Sequence, residues 1–260
     1  MLVLRSLAFQ FAFYVASVVE TLATLPFFFF VPRKRAMGVV RFWCRTTMWL
    51  LRVVAGTRIE VRGRENLVGG ASIVASKHQS MFETLALFPL LEDPAIVMKE
   101  ELGRIPVFGA YTLKAGMIHL DRGGRATALR RLAERARGAL AEGREIIIFP
   151  EGTRRKPGAE PAYQSGIAML YKQLGVPVVP VALNSGLYWP KNSFVRHSGT
   201  IVVEFLPAIP PGLPGREFLA TLQARIETAS DALIVEAAAS KNPPPLQPEA
   251  QRVVSAGDSG

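Results

Sequence analysis

A histidine and a carboxylate stand five positions apart in the stretch Ser76-Lys77-His78-Gln79-Ser80-Met81-Phe82-Glu83. These residue types suit one proton-transfer task. A neutral imidazole takes the proton of an attacking hydroxyl, and a carboxylate on its other nitrogen fixes the tautomer and steadies the imidazolium. On one continuous helix a five-residue spacing puts two side chains about 140° apart, so they cannot meet. Cooperation therefore requires a helix that begins after His78. Ser80-Met81-Phe82-Glu83 has the form of a capping box with Ser80 as N-cap. The run SIVA before the motif reads as a strand and TLALFPLL after it as a helix. His78 then lies in the loop at a strand's carboxyl end, where α/β folds place their chemistry. Taken alone, the octapeptide also describes an ordinary loop histidine beside a Glu83 that only caps the helix, the commoner meaning of so short a motif.

A second block, Phe149-Pro150-Glu151-Gly152-Thr153-Arg154-Arg155-Lys156, follows the apolar run EIIIF. Its turn sets three cations beside a strand end. That arrangement suits a phosphate clamp, because the planar guanidinium binds phosphate oxygens in pairs. Read by itself, such a block is more often a solvated charge run. A third block runs from Lys99 through Arg104 to Gly109 and continues at Gly116–Arg122. Lys99, Arg104 and Arg122 are further phosphate candidates, with a surface ion pair to Glu100 or Glu101 as the alternative for Arg104. His119 sits inside a strand pattern and reads as structural. In Val176–Ser185 the prolines predict an edge strand or a bulge, and the apolar residues predict the wall of an acyl groove.

The elements that must position these blocks follow from the pattern. β-branched runs at Arg58–Val61, Ser72–Ala75, Ala95–Met98, Gly116–Leu120, Glu145–Phe149, Val178–Leu183 and Ile201–Phe205 read as strands. A helix is predicted over Gly124–Glu142, with leucines and alanines on one face and arginines on the other, and a last helix over Arg216 to about Ala239. Strands alternating with helices predict an α/β fold over residues 55–240, a mixed, largely parallel sheet covered by helices. Residues 1–54 read as a membrane-associated helical segment. Leu2–Val31 is long enough to cross a bilayer, for which about 20 apolar residues suffice. Glu20 near its middle is costly against lipid, so a pair of helices dipping into one leaflet is the alternative, and a cleaved signal peptide a third. Arg33, Lys34 and Arg35 favour the cytoplasmic side. Residues 241–260, rich in Pro, Gly and Ser, are predicted to be a disordered tail.

With 49% apolar residues the chain affords a sizeable core, and its net charge of +10 suits an anionic partner. Nucleic acid is excluded as that partner, since no zinc-finger spacing, aromatic RNA-binding signature or basic tail is present. Cys44 is the single cysteine, so no intrachain disulfide forms, and no histidine or cysteine pair has metal-ligand spacing.

Together and in this order, the His-x4-acid block, KEELGRIPVFG, FPEGTR and VPVVPVALN resemble the glycerolipid acyltransferase family, in particular its bacterial 1-acylglycerol-3-phosphate acyltransferases. The resemblance covers about His78 to Ser185. It implies that His78 is the catalytic base and Glu83 its orienting acid, in a position where the family usually has aspartate. It implies that Lys99 and Arg154 bind phosphate, and that Glu151, Gly152 and Thr153 complete the substrate-binding block. Gln164-Ser165-Gly166 departs from the more basic residues of many relatives. The implied reaction transfers a fatty acyl group from acyl-CoA or acyl carrier protein to lysophosphatidic acid. No cofactor or metal is implied, membrane lipids are partners, and the place is the cytoplasmic face of the inner membrane. The alternatives are a relative acylating another lyso-lipid, such as lyso-ornithine lipid or lysophosphatidylglycerol, and a non-catalytic lipid-binding protein of the same fold.

Overall fold

The computed structural model describes residues 1–120 and 125–257. Two helices come first, α1 (Leu2–Phe28) and α2 (Arg33–Leu50), followed by a π-helical turn at Leu51–Ala55. Then follow β1 (Thr57–Arg62), β2 (Ser72–Ser76), α3 (Phe82–Ala86), β3 (Ala95–Lys99), a 3-10 turn (Glu100–Arg104) and α4 (Phe108–Lys114). The chain continues through β4 (Ile118–Leu120), α5 (Arg125–Ala141), β5 (Glu145–Ile148), α6 (Gly166–Leu174) and β6 (Val178–Leu183). It ends with α7 (Ser185–Tyr188), β7 (Gly199–Phe205), α8 (Gly215–Ala238) and α9 (Pro248–Gly257).

The described strands form one seven-stranded sheet in the order β1-β7-β6-β2-β5-β3-β4. From β6 through β4 all pairings are parallel, and β7 runs antiparallel to β6. The sheet is thus mixed and largely parallel, as its sequence pattern predicts. The carboxyl ends of β6, β2, β5, β3 and β4 all emerge along one edge. Every residue of β2, β5 and β6 is buried, the mark of central strands covered on both faces.

Side-chain alternation divides the core into two layers. Val74, Ile147, Val179 and Val181 face a layer with α1, α2 and α3. Ile73, Ala75, Ile146, Ile148 and Val178 face the other, with α5, α6 and the first half of α8. In α5 the predicted division holds: Leu132, Ala133, Ala136 and Leu140 are buried, while Arg130, Arg131, Arg135 and Arg137 are exposed.

Two expectations for β6 part company. It is not an edge strand, but the bulge is present. Val181 pairs with Phe205, whereas Val178 bridges Ile209, so the register slips by one residue opposite Pro180. The slip lies where proline offers no N–H. All six β6 residues are buried within the core.

The disordered-tail expectation is corrected for residues 248–257, which form α9. Leu246, Val253 and Val254 pack into the same layer as Ile234 and Ala237 of α8, and Ala250 is fully buried. Composition alone missed this, because the apolar surface that α9 covers belongs to another helix.

The N-terminal segment lies along the domain. At its start Arg5 donates to the Val54 carbonyl (2.9 Å) across Gly56, where φ is +76° and a Cβ would strike the guanidinium. Trp43 donates to Ser17 Oγ at 2.9 Å, joining α2 to α1. At the far end Phe28 stacks on Tyr111 of α4 with ring centroids 3.9 Å apart. Between these anchors the outward residues of α1, such as Phe11, Val18, Val19 and Leu22, are exposed.

Candidate active site

His78 follows the last residues of β2, and its ring stacks on Phe149 at the end of β5, centroids 4.0 Å apart and 18° from parallel. Nδ1 lies 2.8 Å from Glu83 Oε1. The same oxygen accepts the N–H groups of Gln79 (2.6 Å) and Ser80 (2.7 Å), and Oε2 accepts the Ser185 hydroxyl at 2.8 Å. Ser80 Oγ in turn accepts the N–H of Phe82. Glu83 therefore both holds the turn that enters α3 and reaches His78, and the N-cap is Met81 rather than the expected Ser80. The predicted late helix start is what lets it do so.

α3 has only five residues, too few for propensity to hold a helix against its nucleation cost. The bond from the Phe82 N–H to Ser80 Oγ contributes about 1 kcal/mol. Burial of Phe82 and Leu85 contributes about 1.5–3 kcal/mol each and outweighs it. Since the carboxylate accepts, the neutral imidazole carries its hydrogen on Nδ1. Nε2 keeps its lone pair and has no hydrogen-bond partner among the described residues. The His78 side chain is 14% exposed and the Glu83 side chain fully buried. The imidazole is thus open on one side and braced on the other.

The FPEGTR block is fastened to this histidine. Gly152 N–H closes the turn on the Phe149 carbonyl at 2.9 Å, with Gly152 at φ +67°, a conformation that favours glycine. Arg155 N–H donates to the His78 carbonyl at 2.8 Å. Between these bonds lie exposed Thr153 and half-buried Arg154, whose guanidinium has no ion pair among the described residues. The Arg154 carbonyl is held by Lys191 Nζ at 3.1 Å. An unpaired guanidinium on a fixed backbone beside the base can receive a phosphate.

Glu151 departs from expectation. Its side chain is 1% exposed and turned to Lys77, whose Nζ lies 3.2 Å from Glu151 Oε1 and 2.8 Å from both carboxylate oxygens of Glu227 on α8. Tyr163 donates to Glu227 at 2.8 Å. Burial pushes the Glu151 carboxyl above its ordinary range, against the opposing pull of Lys77. Burial and the Glu227 charge push the Tyr163 hydroxyl upward as well. Glu151 thus anchors the turn rather than facing an acceptor.

The third block is divided. Lys99 is exposed at the carboxyl end of β3. Pairing of Ala95 with Ile146 and of Ser72 with Glu145 places Lys99 and His78 at nearly the same height, two strands apart. That is about 10 Å at the usual strand spacing. Arg104 is 76% exposed and pairs with Glu100 at 3.4 Å, the surface alternative named for it. Arg122 lies outside the described residues. His119 is buried in β4, within 3.1 Å of Thr112 Oγ1, and burial lowers its ring's proton affinity.

Sequence reasoning missed Lys77, Glu227, Tyr163 and the Ser185 hydroxyl. A lysine next to the candidate base was the one visible signal. Its carboxylate partners lie far along the chain, and no local pattern joins them. The N–H groups of Gln79 and Ser80 are both bonded to Glu83 and so are not open to an oxyanion.

A braced imidazole stands at the carboxyl edge of a largely parallel sheet, next in the fold to an arginine with no ion pair among the described residues. Comparison with known proteins supplies the class. A family model described as Acyltransferase matches residues 58–184. A 1-acyl-sn-glycerol-3-phosphate acyltransferase of Pseudomonas aeruginosa is 40% identical over 204 residues, covering 77% of this chain and 79% of that one. The human 1-acyl-sn-glycerol-3-phosphate acyltransferase beta is 31% identical over 159 residues, 60% of this chain and 57% of its own. The crystal structure of the 1-acyl-sn-glycerophosphate acyltransferase PlsC from Thermotoga maritima shares the fold, with TM-score 0.74 and 22% identity over 90% of this chain and 98% of that one. The chain belongs to the acyltransferase family of the 1-acyl-sn-glycerol-3-phosphate acyltransferases.

Proposed function

We propose that this protein transfers a fatty acyl group from acyl-CoA or acyl carrier protein to the sn-2 hydroxyl of 1-acylglycerol-3-phosphate, giving phosphatidic acid, with His78 as general base. The observation that carries the reading is the bond from His78 Nδ1 to the buried Glu83, which leaves Nε2 as the open acceptor. The acceptor hydroxyl oxygen attacks the thioester carbonyl carbon as its proton passes to Nε2. The tetrahedral intermediate collapses, the C–S bond breaks, and the leaving thiolate recovers the proton from His78. Arg154 and Lys99 hold the acceptor phosphate between them and set the distance from headgroup to base. No metal or prosthetic group enters this scheme.

The family and the exposed apolar surface of α1 mark a membrane-associated protein. We place the enzyme on the cytoplasmic face, with α1 lying in one leaflet. A helix of 27 residues, roughly 40 Å long, is fastened near its start to Val54 and at its end to Tyr111 of the same domain. Crossing the bilayer would drag that domain into the hydrocarbon.

Thiol release from acyl-CoA, followed with and without lysophosphatidic acid, tests the activity. Release that depends on the acceptor and disappears in His78→Ala is expected. Release unaffected by that substitution refutes the base assignment. Arg154→Ala is expected to raise KM for lysophosphatidic acid at least tenfold. An unchanged KM assigns the phosphate elsewhere.

A further inference from the structure

The segment Arg104–Phe108 is exposed at five consecutive residues, although it is largely apolar. Its backbone explains why. Val107 has φ +65° and ψ −61°, and Phe108 N–H closes back onto the Pro106 carbonyl at 2.7 Å. This is a γ-turn of the strained, positive-φ kind, unusual for a β-branched residue. The turn drives Val107 (47% exposed) and Phe108 (39%) outward instead of into the core, and Ile105 and Leu113 are exposed beside them. Strain that projects apolar groups away from the core needs an apolar environment outside the domain.

We propose that the turn Pro106–Phe108 and the outer face of α4 form a second membrane-contact element that inserts into the acyl-chain region of the leaflet already occupied by α1. The inference rests on the reading of α1 as a lipid-facing helix, and it extends that surface to a separate part of the chain. Three contacts make the two surfaces continuous. Phe28 stacks on Tyr111, Tyr111 OH lies 3.1 Å from Thr24 Oγ1, and Lys114 Nζ donates to the Phe29 carbonyl at 3.0 Å. Phe27 at the end of α1 and Phe30 just beyond it are exposed. Exposed Lys34, Arg35, Lys99 and Arg104 are near neighbours in sequence of these apolar residues, as suits an anionic headgroup layer. Insertion of the turn would hold Lys99, the proposed phosphate ligand, near headgroup depth.

The test attaches an environment-sensitive fluorophore to Val107→Cys in the full chain. Native Cys44 is fully buried, so the label is confined to the new site. Leu22→Cys on α1 and Arg137→Cys on α5 serve as separate reporters, and vesicles of phosphatidylcholine with phosphatidylglycerol are the probe. Blue-shifted emission at positions 107 and 22, with none at 137, is expected. A shift at 22 without one at 107 overturns this proposal and leaves the α1 reading standing. A shift at neither position overturns both. A second arm avoids any pull from the fluorophore itself. The pair Val107→Asp and Phe108→Asp is expected to weaken vesicle partitioning at least tenfold, with turnover of a short-chain, water-soluble lyso-acceptor unchanged. Unaltered partitioning also overturns the proposal.

Discussion

Lys77 and His78 are consecutive, yet their side chains belong to different worlds. Lys77 shares the strand parity of Ile73 and Ala75 and is sealed into the α6 and α8 layer, with Nζ on Glu151 and Glu227. His78 shares the parity of Val74, lies on Phe149, and keeps one nitrogen free. Both contact a buried glutamate. In the closed region Lys77 meets two carboxylates, and Arg155 Nε lies 4.0 Å from Glu151 Oε1. In the open region four donors meet the Glu83 carboxylate, and the unused capacity lies on the base. The proposed function asks stability of the first arrangement and chemistry of the second, although one peptide bond separates them.

That division can be broken from either side. His78→Ala is expected to lower kcat by about 10²–10⁴-fold, the usual share of general base catalysis, with an unchanged circular dichroism spectrum. Comparable turnover in the variant would erase the distinction. Lys77→Met is expected to act on the opposite quantity. Removing one partner of a buried ion pair costs about 3–5 kcal/mol, read as a lower urea midpoint, while turnover per folded molecule changes little. The loss should grow with pH. A carboxyl raised by burial binds its proton more tightly folded than unfolded, so stability falls as pH rises above the ordinary carboxyl range. Without Lys77 that fall steepens, and unfolding midpoints at pH 5 and pH 8 will diverge further than in the unaltered protein.

Smaller effects sharpen the comparison. Ser185→Ala removes one of four donors to Glu83, and a bond to a charged group is worth about 1.5–3 kcal/mol. A several-fold fall in kcat is expected with KM for the acyl donor unchanged; a change confined to KM would place Ser185 at the substrate instead. The smallest effect concerns Cys44. Burial pushes its thiol up to about 12, so iodoacetamide at pH 8 should neither label the native protein nor slow it. Labelling without unfolding would show that α1 and α2 part readily.

The strands were legible because each is a short β-branched run, and the late start of α3 was legible because Ser80 and Glu83 are local to one another. The order of the strands was not, since β6 joins β2 and β7 through contacts that no periodicity encodes. The same limit hid Lys77 with Glu227, which are 150 residues apart. It also misassigned Glu151, whose motif suggested a substrate contact while its burial made it an anchor. α9 was misread for a related reason: the apolar surface its few apolar residues cover lies on α8, beyond the reach of composition.

The stack of His78 on Phe149 has a consequence for time as well as place. An imidazole held flat against a ring, tied at Nδ1 and fixed through its carbonyl to the arginine loop, has no free rotation left to surrender when an acceptor arrives. Its two nitrogens cannot exchange positions without breaking that grip. Ring-flip exchange should therefore be absent from its nuclear magnetic resonance signals, and under the proposed function each incoming hydroxyl meets an imidazole already facing the same way.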